Sequence, residues 1–148
     1  ESWFLHPAPG PLALDFIRDL PPDAISSLSL HSSASESSLT ALPHLAPGLT
    51  HLYLVWTDFT NAALPPIAEL TRLIYLQTFG NRFTDSGVQQ LAALTRLESL
   101  YLEEATLGYS AFAFVEQLPR LQRLGVQDVE LTQRDLERLR ERFPDIAI

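Results

Sequence analysis

The chain of 148 residues contains no cysteine, no methionine and no lysine. Without cysteine there is no disulfide framework and no thiolate to hold a metal or attack a substrate, so the redox compartment stays undetermined. Without lysine all ten basic residues are arginine, a bias that codon usage in a GC-rich genome explains more simply than any chemistry. The lack of methionine, even at position 1, predicts a chain that begins inside a longer product or has lost its start residue. Long apolar runs are absent too. No stretch approaches the roughly 18 consecutive apolar residues of a membrane span, and no basic segment followed by an apolar run opens the chain. Positive charge is scarce: ten basic residues face 18 acidic ones, for a net charge of -8, which repels phosphate backbones and argues against nucleic acid as a partner.

What is present is a repeat with a period of 24. The pattern apolar-x-x-apolar-x-apolar recurs at Ile25-Leu28-Leu30, Leu49-Leu52-Leu54, Leu73-Leu76-Thr78, Leu97-Leu100-Leu102 and Leu121-Leu124-Val126. A second half follows the last four copies at matching offsets, as Leu64-Ile67-Leu70, Val88-Leu91-Leu94, Phe112-Val115-Leu118 and Leu136-Leu139. Alternation at period 2 predicts a short strand for the first half, and the i, i+3, i+6 spacing predicts a short helix for the second. Thr84 and Thr132 stand where helices begin and can accept a hydrogen bond from a free N–H of the first turn; Pro65 and Pro66 suit a first helical turn and keep that helix short. One such unit cannot bury its leucines alone, so neighbours must cover one another.

Position by position the pattern resembles the leucine-rich repeat family, whose signature L-x-x-L-x-L-x-x-N-x-L is most complete here at Leu73-Ile74-Tyr75-Leu76-Gln77-Thr78-Phe79-Gly80-Asn81-Arg82-Phe83. The resemblance covers roughly residues 25–148. It implies an α/β solenoid, curved, with a parallel β-sheet on the concave face and short helices on the convex face. The expected division is a degenerate capping repeat at 1–24, five repeats at 25–48, 49–72, 73–96, 97–120 and 121–144, and a terminal half-strand at 145–148. Leu14-Ile17-Leu20 is the helical face of the cap, and Trp3, Phe4 and Leu5 are candidates for its strand in an undetermined register. Ile148 falls one full period after Leu124, and because the family often finishes in a half unit, the C-terminus is expected to be natural. Extracellular members from animals and plants often carry disulfide caps. Their lack here leans toward a bacterial, cytoplasmic protein.

Asn81 is the one asparagine at its signature position; the others hold Ser33, Thr57, Ala105 and Val129. Thr57 is a candidate replacement, while the Ala105 and Val129 turns must find other partners and are expected to be looser. Thr78 replaces an inward leucine, so its hydroxyl needs a backbone partner. From Ser26 to Ser38 more than half of the positions are serine, which predicts a solvated loop after the first complete strand.

If Leu52 and Leu54 point inward, the alternating residues face out on the sheet. The outward rows are Ser27, Ser29, His31; His51, Tyr53, Val55; Tyr75, Gln77, Phe79; Ser99, Tyr101, Glu103; and Arg123, Gly125, Gln127. Aromatics gather in the middle rows, the composition of a protein-binding hot spot, because they bury much area for little lost rotamer freedom. The candidate protein-binding residues are His51, Tyr53, Trp56, Tyr75, Gln77, Phe79, Tyr101 and Glu103, forming one continuous patch with a rim of Glu103, Glu104 and Asp128. The competing reading is that aromatics simply favour strands and that Trp56 folds down over the sheet edge.

No catalytic chemistry is visible. His6, His31, His44 and His51 are the only histidines, and His31 and His51 are four positions out of step on adjacent strands, roughly 13 Å along the strand direction. Glu103 and Glu104 point to opposite sides of a strand, and no glycine-rich phosphate loop or serine nucleophile motif occurs. No cofactor or metal is expected, with calcium near Asp58, Glu103, Glu104 or Asp128 as a minor alternative. The arginines and acids of the last helix read as solvated-face support, with Glu137 spaced to reach Arg140 or lie beside Glu141. The function expected is a non-catalytic protein–protein interaction module. Two alternatives stay open: the recognition or regulatory domain of a larger effector or ligase, and a structural spacer that self-associates as a homodimer.

Overall fold

The computed structural model describes residues 2–4, 14–31 and 34–148. Leu5, His6, Ser32 and Ser33 lie outside the described residues. Six strands, β1 (Ser2–Phe4), β2 (Ser27–His31), β3 (His51–Val55), β4 (Tyr75–Phe79), β5 (Ser99–Glu103) and β6 (Arg123–Gly125), form one sheet in chain order, every pair parallel. Ser27, His51, Tyr75, Ser99 and Arg123 stand side by side, so the ladder advances by one sequence period per strand. The first step is one position longer, Ser2 opposite Ser27, which fixes the register of the opening strand.

The alternation at period 2 does what it should. In β3 and β4 the second and fourth residues are buried and the other three stay partly exposed. Leu28, Leu52, Leu76 and Leu100 are fully buried in one stack, and Leu124 continues it at 1% exposure. Full burial of such a side chain stabilises by about 1.5–3 kcal/mol, and here every layer needs the next one to achieve it. The bulkier second halves line the opposite side of the core, so the stack curves with the sheet on its inner, concave face.

Those second halves are mostly 3₁₀ helix: Asp15–Asp19, Glu36–Leu45, Asn61–Ala63, Val88–Ala93 and Tyr109–Gln117. Apolar residues three apart, such as Val88 and Leu91 or Phe112 and Val115, eclipse on one side of a helix with three residues per turn. Only α1 (Leu64–Ala68), begun by Pro65 and Pro66, and α2 (Gln133–Arg142) are α-helical among the described residues. Thr132 opens α2 with a capping box: its Oγ1 accepts from Asp135 N at 3.2 Å, and its own N–H donates to Asp135 Oδ2 at 3.1 Å. The Thr132 hydroxyl holds the Asp135 carboxyl below the usual carboxylate range. Thr132→Ala should lower the midpoint of urea unfolding by about 0.5 M, with the slope of the transition unchanged.

On α2 the ion pairs are Arg138–Asp135 at 3.4 Å and Arg142–Glu116 at 2.5 Å, the second reaching back to the preceding unit, whereas no pair joins Glu137 to Arg140. Beyond α2 the chain returns to the sheet edge. Ala147 bridges Arg123 in parallel, donating to Gln122 O and accepting from Leu124 N, which continues the same step.

Each unit is also tied to the next outside the core. Glu36 Oε1 accepts from Thr60 N–H at 2.5 Å, Asn61 Oδ1 accepts from Thr84 N–H at 3.0 Å, and Asp85 Oδ1 accepts from Gly108 N–H at 2.9 Å. Thr60, Thr84 and Gly108 again stand one period apart, so one side chain per unit satisfies the next unit's turn.

Candidate functional site

On the inner face the sequence-predicted residues fall into two aromatic groups. The Tyr75 ring is the hub of the first: it lies 5.9 Å from His51, 5.0 Å from Tyr53 and 5.5 Å from Tyr101, centroid to centroid. These are tilted or offset contacts of the kind ring quadrupoles favour. The second group is Trp56 edge-on to Phe79 at 4.5 Å, at the C-terminal ends of β3 and β4. Between the groups runs a polar chain: Tyr75 OH donates to Gln77 Oε1 at 3.2 Å, and Gln77 Nε2 donates to Glu103 Oε2 at 3.0 Å.

Small outward residues are what let the large ones lie down. A side chain at Gly125 would meet Tyr101 Cδ1 at 2.1 Å, so the Tyr101 ring rests on the bare backbone of β6. Ser29 and Ser99, expected to face solvent, are covered. The outward row of β6 is shorter than expected: the strand ends at Gly125, a weak strand former with only the Ala147 bridge beyond it, and Gln127 follows outside the ladder. Gln127 O still accepts from Glu104 N at 3.0 Å.

The residues that follow β3, β4 and β5, together with Asp128 one period further on, share a shape that the sequence did not reveal. Trp56, Gly80, Glu104 and Asp128, again one period apart, all have φ between 48° and 67°. Glycine adopts this left-handed conformation freely, while the other three hold it at a cost of roughly 1–2 kcal/mol each. The only sequence signal was Gly80 itself, whose frame position marks the other three. Trp56 remains 55% exposed, and a Cβ at Gly80 would come within 2.7 Å of its indole, so the ring lies over the glycine of the next unit rather than down over the core.

Asn81 is the polar anchor beneath this margin. It is buried; its Oδ1 accepts from Thr57 Oγ1 at 2.6 Å and from Phe59 N–H at 3.1 Å, and its Nδ2 donates to Leu54 O and Phe79 O, both at 3.2 Å. Thr57 therefore supports the asparagine of the next unit instead of standing in for it. The Ala105 and Val129 turns, which lack an asparagine, close through Leu107 N–H to Ala105 O and Leu131 N–H to Val129 O. Thr78 finds the backbone partner it needs in Tyr101 O at 3.3 Å.

The margin is acidic. An open cleft of about 620 Å³ is lined by Asp58, Glu104, Asp128 and Glu130, with Arg82 the single cation there, paired to Asp58 at 3.1 Å. Among the described residues no three of His, Asp and Glu converge to hold a metal, and His31 and His51 are four register steps apart as expected.

Burial pushes the Tyr75 phenol up to about 12, with Tyr53, Tyr101 and Glu103 adding to the shift. The fold thus favours neutral Tyr75. Its contribution to stability is fully present below pH 10, where the unfolded phenol begins to ionise, and is lost as the pH rises toward 12. An ultraviolet titration should show one late phenolate step near 12, and Tyr75→Phe should remove that step.

No family model and no curated protein matches the chain. Solved structures do: internalin C2 of Listeria monocytogenes is 26% identical over 75% of this chain with a TM-score of 0.57, and a leucine-rich repeat protein of Leptospira interrogans is 24% identical over 85% with a TM-score of 0.58. The chain spans 46% and 31% of the lengths of these two proteins.

Proposed function

We propose that this chain, which is a leucine-rich repeat protein, binds another protein on the aromatic inner face of its sheet and performs no reaction of its own. The observation that supports this reading is the contiguous group His51, Tyr53, Tyr75 and Tyr101, whose rings touch across three strands while each stays partly exposed. Clustered aromatics of this kind supply a large, rigid contact area whose conformational freedom is already spent in the free protein. Trp56 and Phe79 extend the face toward the acidic margin, and Gln77 and Glu103 give it polar groups that fix a partner's orientation. In this reading the units beginning at 25, 49, 73, 97 and 121 present the face, and residues 1–24 cap the first of them.

The test is a pull-down from lysate of the source organism with the native chain and with Tyr53→Ala/Tyr75→Ala/Phe79→Ala, retained proteins being identified by mass spectrometry. A protein held by the first and lost by the second, with unchanged circular dichroism, is expected; equal retention would overturn the reading. Light scattering at two concentrations separates this from self-association, for which the apparent mass would rise with concentration and fall again in the triple variant.

A further inference from the structure

We infer that the partner of this face presents an arginine side chain, its guanidinium lying over the Tyr75 and Tyr101 rings within reach of the Glu103 carboxylate. The molecule already builds such a site with its own residues. On the convex side Arg138 lies over the Tyr109 ring, its Cζ 3.9 Å from the centroid, while its Nη1 is 3.4 Å from Asp135 Oδ1. A tyrosine face beside a carboxylate holds a guanidinium through the ring quadrupole and a charge-assisted hydrogen bond together.

The concave face has the same two components without the arginine. Glu103 follows Tyr101 by two residues on one face of β5, roughly 7 Å along the strand. One of its oxygens accepts from Gln77, the other takes no hydrogen bond among the described residues, and no salt bridge reaches it. Glu104, Asp128 and Glu130 add negative charge in the cleft at the margin beyond the end of β5, likewise without a salt bridge among the described residues. The chain's own cations do not fill the place. Arg82 is held by Asp58, and Arg123 sits in the first outward row while Glu103 sits in the last, about 13 Å away along the strands. Arginine is the choice over lysine because its planar head can stack on a ring and meet a carboxylate at once.

The inference rests on the reading of this face as a protein-binding site, but the two fail separately. The ¹⁵N-labelled chain is titrated with the peptide acetyl-Ala-Arg-Ala-Arg-Ala-amide and with its citrulline counterpart, which keeps the shape and loses the charge. The arginine peptide should shift the amides of Tyr75, Tyr101, Glu103 and Gly125, and bind about fivefold more weakly to Glu103→Gln, a variant that still accepts from Gln77; added salt should weaken it further. The citrulline peptide should bind at least as weakly to the native chain. Equal binding of the two peptides, shifts confined to other surfaces, or no shift up to about 10 mM arginine peptide would each overturn the inference. If a protein captured in the pull-down is lost by the triple variant yet binds Glu103→Gln as tightly as the native chain, the site stands and only the arginine is wrong.

Discussion

Asn81→Ala is expected to destabilise the chain by about 3–5 kcal/mol, the largest effect of any single polar substitution in it. The buried amide serves two donors and two acceptors drawn from two successive units. Its removal strands the Phe59 N–H and the Thr57 hydroxyl, and burying an unsatisfied group costs about 1–3 kcal/mol. Phe79 O keeps its bond from Trp56 N–H at 2.8 Å, which limits the loss on the acceptor side. Against a total stability on the order of 5–15 kcal/mol this is a large fraction. Thr57→Val should cost only about 1 kcal/mol, because Asn81 Oδ1 still receives the Phe59 N–H. Urea unfolding followed by circular dichroism measures both, and a cost for Asn81→Ala no greater than for Thr57→Val would contradict the assignment of Asn81 as the anchor.

Tyr75→Ala is expected to weaken binding of the captured partner by about 2 kcal/mol or more, roughly 30-fold. The magnitude follows from its position as hub: it touches His51, Tyr53 and Tyr101, so truncation removes its own contact area and frees three neighbouring rings at once. Tyr75→Phe keeps the ring and loses the hydrogen bond to Gln77, and should fall between the two. Tyr109→Ala, on the convex side under Arg138, should leave affinity unchanged. Surface plasmon resonance on the four proteins gives the ranking, and similar losses for Tyr75→Ala and Tyr109→Ala would mean that the partner reads the other face.

The period of 24 made the sheet legible, because one number sets both the order of the strands and which side chains share a row. It led directly to the stack of Leu28, Leu52, Leu76 and Leu100 and to the outward placement of Tyr53, Tyr75 and Tyr101. Other features left weaker traces. A strict spacing of three, without a member at i+4, is the mark of a 3₁₀ turn, and it reads as a generic short helix when each unit is taken alone. The left-handed residues at 56, 104 and 128 are tryptophan, glutamate and aspartate, so only Gly80 advertised the conformation. Exposure depended on neighbours rather than on alternation: Ser99 faces outward and is nonetheless covered, and Tyr101 can lie flat only because position 125 is glycine. The bonds from Glu36, Asn61 and Asp85 to the following unit were hidden because each uses a different residue type.

Hydroxyl-radical footprinting of the free chain and of its complex with the captured protein shows whether a partner sits on the aromatic inner face. Tyr53, Trp56, Tyr75 and Tyr101 should become protected in the complex while Tyr109 is modified at the same rate in both. Unchanged modification of Tyr53, Tyr75 and Tyr101 together with protection of Tyr109 would contradict this placement.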